Sequence, residues 1–325
     1  MHFPNALCVA AALLGAVIVS TVFAQSYPTR PITLVVPFPP GTNTDLVARP
    51  VADRLSVSLG QPAIIDYRPG GAGGTVGARG VSKAEPDGYT LLLCPPGPLV
   101  VAPALYKDIG YDPVKNFTPI ATLFSVPQVL GVHPSVPVNS IQELVAYAKA
   151  NPGKINFASP GYGTQPHLLG EMLKHATGIN LIHVPYKGPA QAMTDLIGGQ
   201  VQMYFETAAL FIPQAKGGKA KILAVADEER SSLLADIPTT TEGGFPGLRG
   251  TFWAGVVAPA GTPAAIIQKL NIAINEIVGS AEMKPVLEKL SAKAKLGTPQ
   301  EFAAFMATET QRWTAIVKAA NIKID

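Results

Sequence analysis

Short apolar runs alternate with amphipathic stretches along most of the chain, and most of those runs end at a cluster of Gly, Pro, Ser or Thr. Leu34-Val35-Val36 reads as a buried strand that runs into Pro37-Phe38-Pro39-Pro40-Gly41-Thr42-Asn43-Thr44-Asp45. From about Asp45 to Leu59, Val47, Val51 and Leu55 recur at the spacing that lays an apolar stripe on one helix face. Pro50 falls inside that helix and predicts a kink or a late start, because proline removes an interior hydrogen bond. Gly60 closes the helix and Ala63-Ile64-Ile65 is the next strand, so the three elements predict a right-handed βαβ unit.

The alternation continues. Thr90 to Leu93 is a strand that leads into Cys94-Pro95-Pro96-Gly97-Pro98. Phe117 to His133 is strand-like with no helix, a long extended segment suited to crossing between domains. Ser140-Ile141-Gln142-Glu143 is a capping box that opens a helix. Ile155 to Ala158 is a strand whose end runs into Ser159-Pro160-Gly161-Tyr162-Gly163-Thr164-Gln165 before a helix from about Pro166 to Ala176. That repeats the design of the opening loop. Further strands at Ile182 to Val184 and Gln200 to Thr207 flank a helix at Ala190 to Ile197, and Gly250 to Val257 reads as a return crossing. Thr262-Pro263 and Thr298-Pro299-Gln300-Glu301 start the closing helices.

Of the 325 residues, 47% are hydrophobic and 14% charged, which describes a packed protein with little surface charge. A net charge of +3 with no Lys/Arg cluster interleaved with aromatics speaks against a nucleic-acid surface. Residues 1–24 read as a secretory signal: Ala6 to Val22 is apolar and Val22-Phe23-Ala24 offers small residues before Gln25, although no Lys or Arg precedes the run. Export with cleavage leaves one cysteine, Cys94, hence no internal disulfide and a stability that rests on packing.

The candidate chemistry is that of an anion seat. At both Gly-containing loops a strand feeds a helix whose free N–H groups point back at the turn. Other readings fit less well. Gly71, Gly73 and Gly77 miss the dinucleotide fingerprint, which needs glycine at Val76, and they predict close backbone packing against the neighbouring domain or a helix start. His167, Glu171 and His175 share a helix face, but eight residues span about 12 Å, too far for one metal ion. Ser159 lacks the glycine of a nucleophile elbow, Phe157 standing in its place. No cofactor or metal is expected.

The ordered motifs Pro37-Phe38-x-Pro40-Gly41, Arg68-Pro69-Gly70, Pro86-Asp87-Gly88-Tyr89-Thr90-Leu91, Gly161-x-Gly163-Thr164-x-x-His167-Leu168, His183-Val184-Pro185-Tyr186-Lys187-Gly188, Gly199-Gln200-Val201 and Ala258-Pro259-Ala260-Gly261-Thr262-Pro263 give the chain its kinship. From about Tyr27 onward it resembles the Bug family, the substrate-binding proteins of tripartite tricarboxylate transporters. The resemblance implies an α/β fold, a two-lobed periplasmic binding protein of type II-like form. Each lobe is then a mixed sheet flanked by helices, with the ligand cleft between them. It implies that Gly41 to Asp45 and Ser159 to Gln165 grip a carboxylate through backbone N–H groups, hydroxyls and waters. Three departures stand out: Gly41-Thr42 where the family has Gly-Gly, Phe205-Glu206-Thr207 where it has Phe-Asp-Asn, and the apolar Cys94 to Pro98 stretch.

One helix terminus is worth about 0.3 to 2 kcal/mol to an anion, whereas micromolar affinity needs about 8 kcal/mol, so both loops and lobe closure are required. Neither loop contains Arg or Lys, so neutral donors are expected to hold the carboxylate. The expected ligand-binding set is Pro39, Gly41, Thr42, Asn43, Thr44, Asp45, Cys94, Pro95, Ser159, Gly161, Tyr162, Gly163, Thr164, Gln165, Glu206 and Thr207. The apolar wall favours a ligand with an apolar middle, a longer aliphatic or aromatic dicarboxylate such as a phthalate isomer. The expected lobes are 25–126 with 249–325, and 127–248. The expected protein is a monomeric periplasmic receptor, not an enzyme, that delivers a carboxylate to the membrane permease subunits of the transporter or to a sensor kinase. The rival is a secreted enzyme carried by Cys94, or by Ser159 with His167.

Overall fold

The computed structural model describes residues 27–319 and 322. The expected secretory signal lies outside them. Ten strands form one continuous network: β1 (Ile32–Val36), β2 (Ala63–Tyr67), β3 (Thr90–Cys94), β4 (Phe117–Val132), β5 (Ile155–Ser159), β6 (Leu181–Pro185), β7 (Met203–Thr207), β8 (Lys221–Val225), β9 (Thr251–Pro259) and β10 (Lys293–Ala294). The helices are α1 (Asn43–Leu59), α2 (Thr75–Val81), α3 (Ala102–Leu105), α4 (Ile141–Ala150), α5 (Gln165–Thr177), α6 (Pro189–Ile197), α7 (Ala208–Lys216), α8 (Ala264–Val278), α9 (Lys284–Lys289) and α10 (Pro299–Ala319). Among the described residues no helix is long and apolar enough to cross a membrane.

The two lobes share β4. In the first lobe the order is β2-β1-β3-β9-β4, with β1 parallel to β2 and β3 and with β9 antiparallel to both neighbours. In the second, β4 lies antiparallel between β7 and β8, and β5 joins β7 and β6 in parallel. The change of partner is abrupt: Pro127 pairs with Thr251 of β9, and Gln128 pairs with Thr207 of β7. A proline, which has no N–H to give a ladder, stands where one sheet hands over to the other. The return crossing is tied to the same point, because Gln128 N–H donates to the Gly250 carbonyl and Ala226 N–H donates to the Gln128 carbonyl.

Apolar periodicity becomes packing in three clusters. The buried stripe of α1 (Val47, Val51, Leu55) joins α8 (Leu270, Ile274) on one face of the first sheet. A second cluster runs without a break from Leu92, Trp253 and Trp313 of the first lobe to Phe157, Leu168 and Leu169 of the second. A third lies between β7 and the helices α6 and α7. Pro50 does not end α1, which begins two residues ahead of the expected start and continues to Leu59. Its wholly buried stripe offsets the one hydrogen bond that proline forgoes.

Close packing across β4 gives a test. A Cβ added at Gly131 would stand 2.0 Å from the ring of Phe211, itself wholly buried. Gly131→Ala should destabilise by about 1 to 3 kcal/mol in urea unfolding, the usual penalty of overpacking. Gly247→Ala, whose Cβ would meet nothing within 4 Å, should be neutral.

Candidate functional site

The loop after β1 is built around Asp45. The Gly41 N–H donates to its carboxylate at 2.7 Å, the Tyr67 hydroxyl at 2.5 Å and Arg49 Nε at 3.1 Å, while Thr42 Oγ1 caps α1 by accepting from Asp45 N–H. Gly41 needs its positive φ of 85° to turn that N–H inward. Burial opposes ionisation of Asp45, but the Gly41 N–H, Tyr67 and Arg49 outweigh it and hold the carboxyl below the usual range. Asp45 is 1% exposed and its oxygens are committed, so it shapes the loop from behind instead of meeting a ligand, contrary to its place in the expected set.

The second loop has a different support. Ser159 Oγ lies 2.7 Å from His183 Nε2 and accepts from Gly161 N–H, Thr164 Oγ1 donates to the Gly161 carbonyl at 2.7 Å, and Gly163 N–H donates to His167 Nδ1. Beneath it the rings stack: Phe157 on His183 at 4.8 Å, His183 on His167 at 4.3 Å, with the Tyr162 ring set edge-on to both histidines. Burial, aided by Lys174, pushes His183 down to about 4; burial, the neighbouring His183 and Lys174 push His167 down to about 3. Both rings are neutral props at pH 7.

The two loops face each other across an inner chamber of about 70 Å³. Thr42, Asn43, Thr44, Pro95, Thr164, Gln165 and Glu206 of the expected set line it, together with Phe38, Pro96, Gly97, Gln128, Pro160, Pro166, Pro189 and Phe252. An outer cleft of about 920 Å³ adjoins it, lined by Pro39, Gly41, Gly161 and Tyr162 of the expected set and by Tyr106, Tyr186 and Lys187. Among the described residues, the N–H groups of Asn43 and Thr44 at the start of α1 and of Gln165 at the start of α5 donate to no protein acceptor. No Lys or Arg lines the chamber. Two helix N-termini, one from each lobe, thus present neutral donors to one shared space, an arrangement suited to an anion.

Five expected residues do not line either space. Besides Asp45, Cys94 closes β3 wholly buried, and burial pushes its thiol far up, which removes it as a nucleophile. Ser159 is also fully buried beneath the second loop. Gly163 packs on Gly73, where a Cβ would stand 2.9 Å from the Gly163 carbonyl oxygen, and the same Gly73 carbonyl would clash with a Cβ at Gly97. Within the Gly70 to Gly74 string it is Gly73 that makes the close contact with the second loop, while Gly71 and Gly74 pack on Thr75, Val76, Pro37 and Phe38 nearby. Thr207 lies behind Asn43, whose Nδ2 donates to its Oγ1 at 3.0 Å across the cleft. Glu206 accepts from the Tyr204 hydroxyl and from Thr207 N–H, and burial raises its carboxyl above the ordinary range despite those donors.

Sequence reasoning missed Gln128, whose signal was a polar residue inside the apolar run Val126 to Val132. It missed Phe38 and Phe252 because apolar lining and apolar core look alike in a sequence.

Comparison with known proteins agrees with this geometry. A family model described as "Tripartite tricarboxylate transporter family receptor" matches residues 47–322. The chain is 37% identical over 308 residues to protein BugT of Bordetella pertussis, with 94% of each chain covered. Among solved structures, Rpa4515 of R. palustris with adipate superposes with a TM-score of 0.84 at 36% identity, covering 91% of this chain and 99% of that one. MatC from Rhodopseudomonas palustris with bound malate gives a TM-score of 0.82 at 32% identity, covering 90% and 100%.

Proposed function

We propose that this chain, which belongs to the tripartite tricarboxylate transporter receptor family and so is a substrate-binding receptor and not an enzyme, captures a small dicarboxylate in the periplasm. The lobes close on the ligand and present it to the membrane subunits of a tripartite transporter. The observation that carries this reading is the convergence of unpaired N–H groups from α1 and α5 on a chamber without Lys or Arg. Each such charge-assisted bond contributes about 1.5 to 3 kcal/mol in a site closed to water, so three or four reach micromolar affinity. Adipate in Rpa4515 and malate in MatC support a small dicarboxylate. The proline and phenylalanine walls support a ligand with an apolar middle, phthalates included. Lobes at 25–126 with 249–325 and at 127–248 accord with the change of partners along β4.

Thermal unfolding of the mature chain against aliphatic and aromatic dicarboxylates tests the reading. A ligand at 100 times its dissociation constant should add about 2.7 kcal/mol to stability, seen as a rise of several degrees in Tm. No rise with any carboxylate would overturn it.

A further inference from the structure

We propose that Gln128 forms a hydrogen-bond-acceptor subsite in the inner chamber. The ligand is then a carboxylate that also carries a hydroxyl or an ammonium group, in preference to an unsubstituted alkanedioate. The inference rests on the carboxylate reading above and sharpens it.

A chain of hydrogen bonds fixes which way the Gln128 amide faces. The Thr251 carbonyl can only accept, so the Gln165 nitrogen that lies 3.2 Å from it is the amide Nε2. Gln165 Oε1 is then an acceptor facing Gln128, which must offer its own Nε2, at 3.3 Å. Gln128 Oε1 is what remains. It is buried, the residue is 0% exposed, and among the described residues nothing donates to it. Buried acceptors left in that state are rare and costly, and this one belongs to a residue lining the chamber where the helix N-termini meet.

The electrostatics point the same way. Glu206, the single ionisable residue lining the chamber, is acidic, and it already accepts from Tyr204 and Thr207. Nothing there is set to pair with a second carboxylate. A donor on the ligand would meet Gln128 Oε1 while one carboxylate sits on the α1 and α5 termini, and a far carboxylate would extend toward the outer cleft, where Lys187 and Tyr186 stand.

Isothermal titration of succinate, glutarate and adipate beside their 2-hydroxy and 2-amino counterparts, against the full mature chain and Gln128→Leu, tests this. At the preferred length a substituted acid should bind about tenfold or more tighter than its parent, and the hydroxy and amino arms identify the donor. In Gln128→Leu that ratio should fall to about one, whatever the loss of the Gln165 contact does to the affinity for the parent acid. Equal affinity of parent and substituted acids for the unaltered chain would overturn the subsite, since a trapped water would then be satisfying Gln128. So would a preference that survives in Gln128→Leu. The unaltered chain decides alone should the variant not fold. Binding of no acid at all would instead overturn the carboxylate reading, and the subsite with it.

Discussion

Acidification from pH 6.5 to pH 4 is expected to cost the fold on the order of 5 kcal/mol through two histidines. In the unfolded chain both take up a proton near pH 6.5. In the folded chain burial holds His183 neutral down to about 4, and burial with the adjacent His183 ring holds His167 neutral to about 3, with Lys174 adding to both. Between those limits the unfolded state binds more protons, so stability rises with pH and is lost as pH falls below 6.5. The second loop should suffer first, because His183 holds Ser159 and His167 accepts from Gly163 N–H. Urea unfolding at pH 7, 5.5 and 4.5 measures the slope. His183→Gln, neutral throughout, should flatten it by about half, and a flat profile in the unaltered protein would refute the account.

The other large effect concerns Asp45. Asp45→Ala should lower stability by about 3 kcal/mol and weaken carboxylate binding by at least about tenfold, because the Gly41 N–H and the Tyr67 hydroxyl lose a buried acceptor together. Asp45→Asn keeps one acceptor oxygen and should fall between. Because Asp45 lines neither space, retained ligand affinity in a folded Asp45→Ala protein would show that the loop holds its shape without this clamp.

The two roles of this loop explain what could be read from the sequence. Strand, Gly-containing turn and helix follow from local rules, so both loops and their helices stand close to where periodicity puts them. The Pro-Phe-x-Pro-Gly and Gly-x-Gly-Thr motifs carried the family as well. Asp45 was assigned to the ligand because one of its partners is not local: beside Gly41 and Arg49, four residues away on either side, Tyr67 arrives from β2, 22 residues on, and claims the carboxylate. Cys94 looked like loop until Val256 and Gly255 of β9 drew its segment into the ladder. The helical turns from Gly97 to Leu105, where two prolines argue against helix, are held by burial of Leu99, Val100 and Val101. Each miss is a long-range contact overriding a local signal.

The place of β9 also dictates the order of assembly. It lies between β3 and β4 in the first sheet, yet it is made only after every strand of the second lobe. Until about residue 259 has emerged, β3 has an open hydrogen-bonding edge and the first lobe cannot finish its core. Such non-local pairing is slow to form. The last central strand therefore acts as a delay: the stable structure of the first lobe waits until the whole second lobe has been made.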